Sequence, residues 1–71
     1  MDNIYQDLVK HFGTQKAAGE ALGVDQSTVS GWVRGAFRMS PNIAVRAERA
    51  TGGQFTRRAL CPGFPWEESA A

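Results

Sequence analysis

With 71 residues, 42% of them apolar, and a formal net charge of +1, the chain has room for one small domain with a thin core, which argues against a large buried active site. No apolar run approaches the roughly 20 residues needed to span a bilayer, and the start MDNIYQDLVK lacks the basic and then apolar order of a signal peptide. Cys61 is the single cysteine and His11 the single histidine, so no intrachain disulfide and no Cys/His zinc site can form, and a reducing compartment fits best. The expectation is a soluble, cytoplasmic protein with no membrane partner, no metal and no cofactor.

In chain order, Ile4, Leu8 and Phe12 recur at helical spacing with Tyr5 and Val9 beside them, and Asp2 or Asn3 is placed to cap this first helix. Gly13 ends it. Thr14 caps a second, QKAAGEAL, rich in good helix formers and stopped by Gly23. Asp25 is placed to cap a third, QSTVSGWVRG, which contains Gly31 and ends at Gly35. AFRM is a connector. Ser40 followed by Pro41 starts a fourth helix, because proline at the first helical position gives up a hydrogen bond that was unavailable anyway. Ile43, Ala44, Ala47 and Ala50 line its inner face, and Gly52 and Gly53 terminate it. Thr56 caps a short helical turn through Leu60 before Pro62, although Gln54 to Thr56 fits extended chain equally well. From Gly63 onward, GFPWEESAA reads as a tail with two aromatic anchors, Phe64 and Trp66. No repeat, low-complexity tract or strand alternation is present.

Charge is unevenly distributed. Arg46, Arg49, Arg57 and Arg58 fall in one stretch opposed only by Glu48, whereas Glu67 and Glu68 close the chain. A solvated helix face explains such a cluster as readily as a polyanion site does.

The segment ALGVDQSTVSGW carries more information. Two helices packed steeply through a tight turn need a glycine able to take a positive φ, which Gly23 supplies. They also need a very small residue where they cross, and Gly19 stands four positions earlier. Ala18, Leu22, Val24, Val29 and Trp32 supply the shared core. What remains on the outer face of the second of these helices is Gln26, Ser27, Thr28, Ser30 and Arg34. In a DNA-reading helix the N-terminal residues face base edges, where Gln pairs bidentately with adenine and Ser or Thr serves donor or acceptor sites. The alternative is an amphipathic helix with a solvated polar face. The predicted fold class is all-α: a compact bundle of four to five short helices containing a helix-turn-helix, as a DNA-binding domain over 1–62, with a short C-terminal tail at 63–71.

The stretch TQKAAGEALGVDQSTVSGWVRG resembles the helix-turn-helix of the lambda-repressor and Cro-like superfamily. PNIAVRAERATGGQFTRRALCP is similar to the continuation in short prophage Cro proteins and YdaS-like regulators, so the likeness covers about residues 3 to 62. The resemblance implies a cytoplasmic transcriptional repressor that binds double-stranded operator DNA as a homodimer. It further implies that Gln15 contacts phosphate and supports the reading helix, that Gln26 and Ser27 read bases, and that Thr28 and Ser30 contact base or backbone. Lys16, Arg34 and Arg38 lie where a phosphate strand passes, with a merely solvated charge as the alternative. Arg46 and Arg49, at i and i+3 on the fourth helix, either extend that phosphate contact or solubilise the surface, and the latter is favoured. Two departures stand out: Cys61 replaces an Arg common before the proline, and Gly31 sits where many relatives place a longer base-reading side chain.

Other residues have plainer readings. His11 is a helix-end residue, Cys61 a small apolar filler and Trp32 core, while Phe64 and Trp66 form either a lid on the monomer or part of a dimer interface. No paired carboxylates, nucleophile and base, or phosphate loop points to an enzyme. The competing function is an antitoxin-like module whose main partner is a toxin.

Overall fold

Residues 3–66 are described from a computed structural model. They form five helices and no strand: α1 (Ile4–Phe12), α2 (Gln15–Leu22), α3 (Gln26–Arg34), α4 (Pro41–Ala50) and α5 (Arg57–Leu60). Of the alternative of extended chain at Gln54 to Thr56, only Thr56 has extended backbone, as the cap of α5 (φ −80°, ψ 152°), while Gln54 and Phe55 form a bend. The acidic end at Glu67 and Glu68, and Asp2 as a cap, lie outside the described residues.

Four of the five starts are secured by the side chain that precedes them. Asn3 Oδ1 accepts from the Gln6 amide at 2.9 Å, Thr14 Oγ1 from Ala17 at 3.0 Å, Ser40 Oγ from Ile43 at 3.4 Å and Thr56 Oγ1 from Ala59 at 3.2 Å. Each such bond satisfies one of the first-turn N–H groups that the helix itself leaves unpaired. The exception is α3, where Asp25 occupies the cap position without a side-chain hydrogen bond. Its carbonyl alone serves the first turn, accepting from Thr28 N–H at 3.0 Å.

The core is Leu8, Ala18, Leu22, Val29, Trp32, Met39, Ala44, Ala47 and Leu60, with Ile4, Tyr5, Val9, Phe12, Val24, Ile43 and Phe55 packed against it. Helix α2 is central, touching α1, α3 and α4, while α5 closes on α1 and α4. Two expectations change. Ala50 is exposed, because the inward stripe of α4 ends at Ala47 and the buried Thr51 takes over, its hydroxyl donating to the Ala47 carbonyl at 2.9 Å. Met39, read as part of a connector, is 2% exposed: the chain entering α4 passes under the bundle, and an unbranched thioether fills the irregular gap there. The first helix is also tied to the last: Tyr5 Oη donates to the Leu60 carbonyl at 2.6 Å, while Trp66 Nε1 donates to the nearby Cys61 carbonyl at 2.9 Å.

Candidate nucleic-acid interface

The geometry of the α2–α3 turn follows from two glycines. Gly23 has φ 72°, in the left-handed region that side-chain-bearing residues avoid. Gly19 is fully enclosed: a Cβ there would stand 2.7 Å from the Val24 carbonyl oxygen and 3.5 Å from the Gln26 nitrogen. The middle of α2 therefore lies directly against the backbone that leads into α3, and the Val24 amide donates back to the Gly19 carbonyl at 2.9 Å.

A residue far along the chain completes this corner. Arg46 Nη1 donates to the Leu22 carbonyl at 2.7 Å, placing a cation on one of the unpaired carbonyls at the C-terminal, electronegative end of α2. The same guanidinium fills the space beside Gly23, where a Cβ would meet Nη1 at 2.8 Å. Arg46 is exposed, as expected of a surface residue, yet it has a partner as well: a main-chain oxygen 24 positions away, which no local pattern announces.

Beyond the turn, α3 buries Val29 and Trp32 and presents Gln26, Ser27 and Arg34 to solvent, with Thr28 and Ser30 half-buried at the margins. The five sequence-chosen side chains thus lie on or beside one uncovered face. Arg34 leans along its own helix, Nε donating to the Ser30 carbonyl at 3.4 Å. Gln15, at the first position of α2, is half-buried, and Lys16 beside it is exposed. Arg38 is exposed at the edge of a cleft of about 720 Å³ that is also lined by Tyr5, Met39, Leu60, Cys61 and Phe64. Burial is the largest influence on the Tyr5 phenol there and raises its pKa. Among the described residues no group of three or more His, Cys, Asp or Glu is arranged to hold a metal, and no helix is long and apolar enough to cross a membrane.

The basic stretch proves partly internal. Arg57 donates to Glu48 Oε1 twice, from its backbone amide at 2.7 Å and from Nε at 2.9 Å, and its guanidinium carbon lies 5.7 Å from the centre of the Trp66 ring. These hydrogen bonds, the backbone one first, hold the Glu48 carboxyl below its ordinary pKa. Two of the four arginines thus fasten α4 to α2 and to α5.

Phe37 was missed from sequence. Gly31 is buried although it belongs to the outer side of α3, because the Phe37 ring lies on it; a Cβ at Gly31 would overlap Cδ2 and Cε2 and stand 2.9 Å from Cγ. The signal was there in principle: a glycine on a polar helix face, followed six residues later by an aromatic in a short connector.

Against known proteins, the family model described as Bacterial toxin YdaS matches residues 5–69, nearly the whole chain. The chain belongs to the YdaS family. Regulatory protein Cro of Pseudomonas phage D3 is 58% identical to it over 71 residues, covering 100% of this chain and 97% of the phage protein. The solved Cro protein from prophage element Xfaso 1 of Xylella fastidiosa strain Ann-1 matches with a TM-score of 0.74 at 32% identity, over 84% of this chain and 91% of that one. This YdaS-family chain is accordingly a relative of phage Cro proteins with an all-α fold, as the resemblance in residues 3 to 62 implied.

Proposed function

We propose that the protein is a sequence-specific DNA-binding transcription regulator of the phage Cro type, acting as a two-fold dimer on an inverted-repeat operator in the cytoplasm. The observation that carries the reading is the outer face of α3. Behind a turn fixed by Gly19 and Gly23, short hydrogen-bonding side chains stand uncovered at the start of a helix whose other face is core. A helix so exposed can lie in a major groove with its outer side to the base edges and its first residues nearest them. The names of the phage D3 and Xfaso 1 relatives support the same reading.

In this reading Gln26 and Ser27 read bases and Thr28 and Ser30 make secondary contacts. Gln15, Lys16, Arg34 and Arg38 meet phosphates, and no catalytic step is involved. One reading helix covers only about half a turn of duplex, so two copies related by a two-fold axis bind half-sites centred about one helical turn apart.

The test compares Gln26→Ala with Arg34→Ala on operator and scrambled duplexes at several salt concentrations. Gln26→Ala loses about 1 to 3 kcal/mol on operator alone. Arg34→Ala weakens all duplexes about equally and reduces the salt slope by roughly one contact. If both variants stay folded and match the wild type on every duplex, α3 is not the reading element and the toxin-holding alternative takes its place. A footprint with a single asymmetric half-site at saturation removes the dimer.

A further inference from the structure

Phe37 is the one exposed large apolar side chain among the described residues, at 53%. An exposed phenyl group on a small soluble domain is ordinarily unremarkable when it projects from a loop at random. This one does not. It packs against α3, and the place it occupies is the space above Gly31, where any side chain would overlap its ring. On a helix turning about 100° per residue, Ser27, Gly31 and Arg34 share one side, opposite the buried Val29 and Trp32. The ring therefore lies between Ser27, near the start of the exposed face, and Arg34, at its end.

The backbone holds it there. The Phe37 amide donates to the Gly31 carbonyl at 3.2 Å, beside the Ala36 amide on the same oxygen at 2.8 Å, so the chain leaving α3 folds back over the helix. Gly31 makes room, and the ring takes over the surface that a side chain at position 31 would have presented.

We infer that Phe37 is a base-contacting residue: its ring supplies the apolar part of the reading face and recognises the C5-methyl group of thymine in the major groove. The inference rests on the proposed DNA-reading role of α3 and adds to it a residue outside that helix. The chemistry suits the position. Gln and Ser distinguish bases by hydrogen bonds, whereas the thymine methyl is the one apolar mark on the major-groove edge, and an apolar side chain is what reads it. A phenyl ring offers nothing to a phosphate, so its contribution is independent of salt.

The experiment starts from duplexes selected by the wild-type protein out of a random pool. Each thymine of the selected site is then replaced in turn by deoxyuridine, which removes the methyl and nothing else. The expected result is one or two positions per half-site where wild type loses about four-fold in affinity, the worth of burying one methyl group. At those positions Phe37→Ala binds thymine and uracil alike, with an unchanged salt slope, while Phe37→Leu keeps part of the discrimination. Gly31→Ala, which displaces the ring and leaves Phe37 in the chain, loses the same positions. A wild type that selects a site yet is indifferent to every uracil overturns the Phe37 assignment and leaves the DNA-reading role of α3 standing; so does a methyl penalty that survives in Phe37→Ala. A wild type that selects no site overturns both.

Discussion

Replacing Gly19 by alanine inverts a general rule. In the interior of an ordinary helix the change is worth about 1 kcal/mol in favour of alanine, because glycine gives up more backbone freedom on folding. At Gly19 the added methyl stands 2.7 Å from the Val24 carbonyl oxygen, and that oxygen is main chain, held in the turn by its neighbours' bonds to α2. It cannot rotate away as a side-chain tip would, so the turn itself must shift by several tenths of an ångström. Overpacking of this kind costs about 1 to 3 kcal/mol. Taking about 2 and returning about 1 for propensity leaves a net loss of about 1 kcal/mol, which in a domain of this size lowers Tm by roughly 4 to 8 °C. Far-UV circular dichroism melts of wild type, Gly19→Ala and Gly19→Leu measure it, with the leucine variant expected to fall further or fail to fold. Ala21→Gly, on an exposed position of the same helix, calibrates the propensity effect alone. A Gly19→Ala protein melting above wild type would show that α2 and the turn do not meet as described, and would remove the basis for orienting α3.

Arg46→Met keeps the stem and deletes the charged bond to the Leu22 carbonyl; after allowance for its exposure the expected loss is about 1 kcal/mol in urea unfolding, with the salt slope of DNA binding unchanged, whereas a phosphate-contacting Arg46 would lower that slope. Glu48 has a lowered pKa in the folded chain, so its contribution is fully present above the ordinary glutamate pKa and is lost as pH falls through the lower native value. Tm measured from neutral to acid pH is accordingly expected to drop less steeply in Glu48→Gln than in wild type, from a lower starting point. Thr51→Val strands the Phe55 amide, which donates to Thr51 Oγ1 at 3.2 Å in a part-buried bond; loss of the partner is expected to cost about 1 kcal/mol, the low end of the range for a stranded donor, and a melt indistinguishable from wild type would contradict it.

Four helices were readable outright, and the fifth only beside an extended-chain alternative, because helix boundaries are local events. Thr14, Ser40 with Pro41, and Thr56 each sit within three residues of the amide they serve or the turn they begin, and Gly23 marks a backbone state that composition alone can signal. Gly19 was readable too, since its spacing from Gly23 is a property of the turn. What escaped depends on contacts between distant segments. Arg46 and the Leu22 carbonyl meet only when α4 docks on α2, Met39 is buried only because the connector passes beneath the bundle, and Ala50 is exposed because that docking ends one turn earlier. From sequence, Gly31 shows only as a departure from the relatives' pattern; the structure explains it by the ring of Phe37, a residue of a different segment, which covers it. The outer side chains of α3 stood out as a chemical pattern, but a pattern of polar residues does not say which of them another part of the chain will cover.

Four of the helices begin at a side chain that ties down the first turn, and α3 begins at an Asp25 that does not. The turn left to its backbone is the one bearing Gln26, Ser27 and Thr28. Such a start frays more readily than a capped one, and its amides are expected to exchange with solvent ahead of those at the other helix starts. If α3 reads DNA as proposed, a loosely held start lets it tilt slightly to follow one base pair or another without breaking a capping bond. On the proposed function, the expected outcome is tolerance: a set of related operators bound with graded strength, so that occupancy along a control region would change stepwise as the protein accumulates.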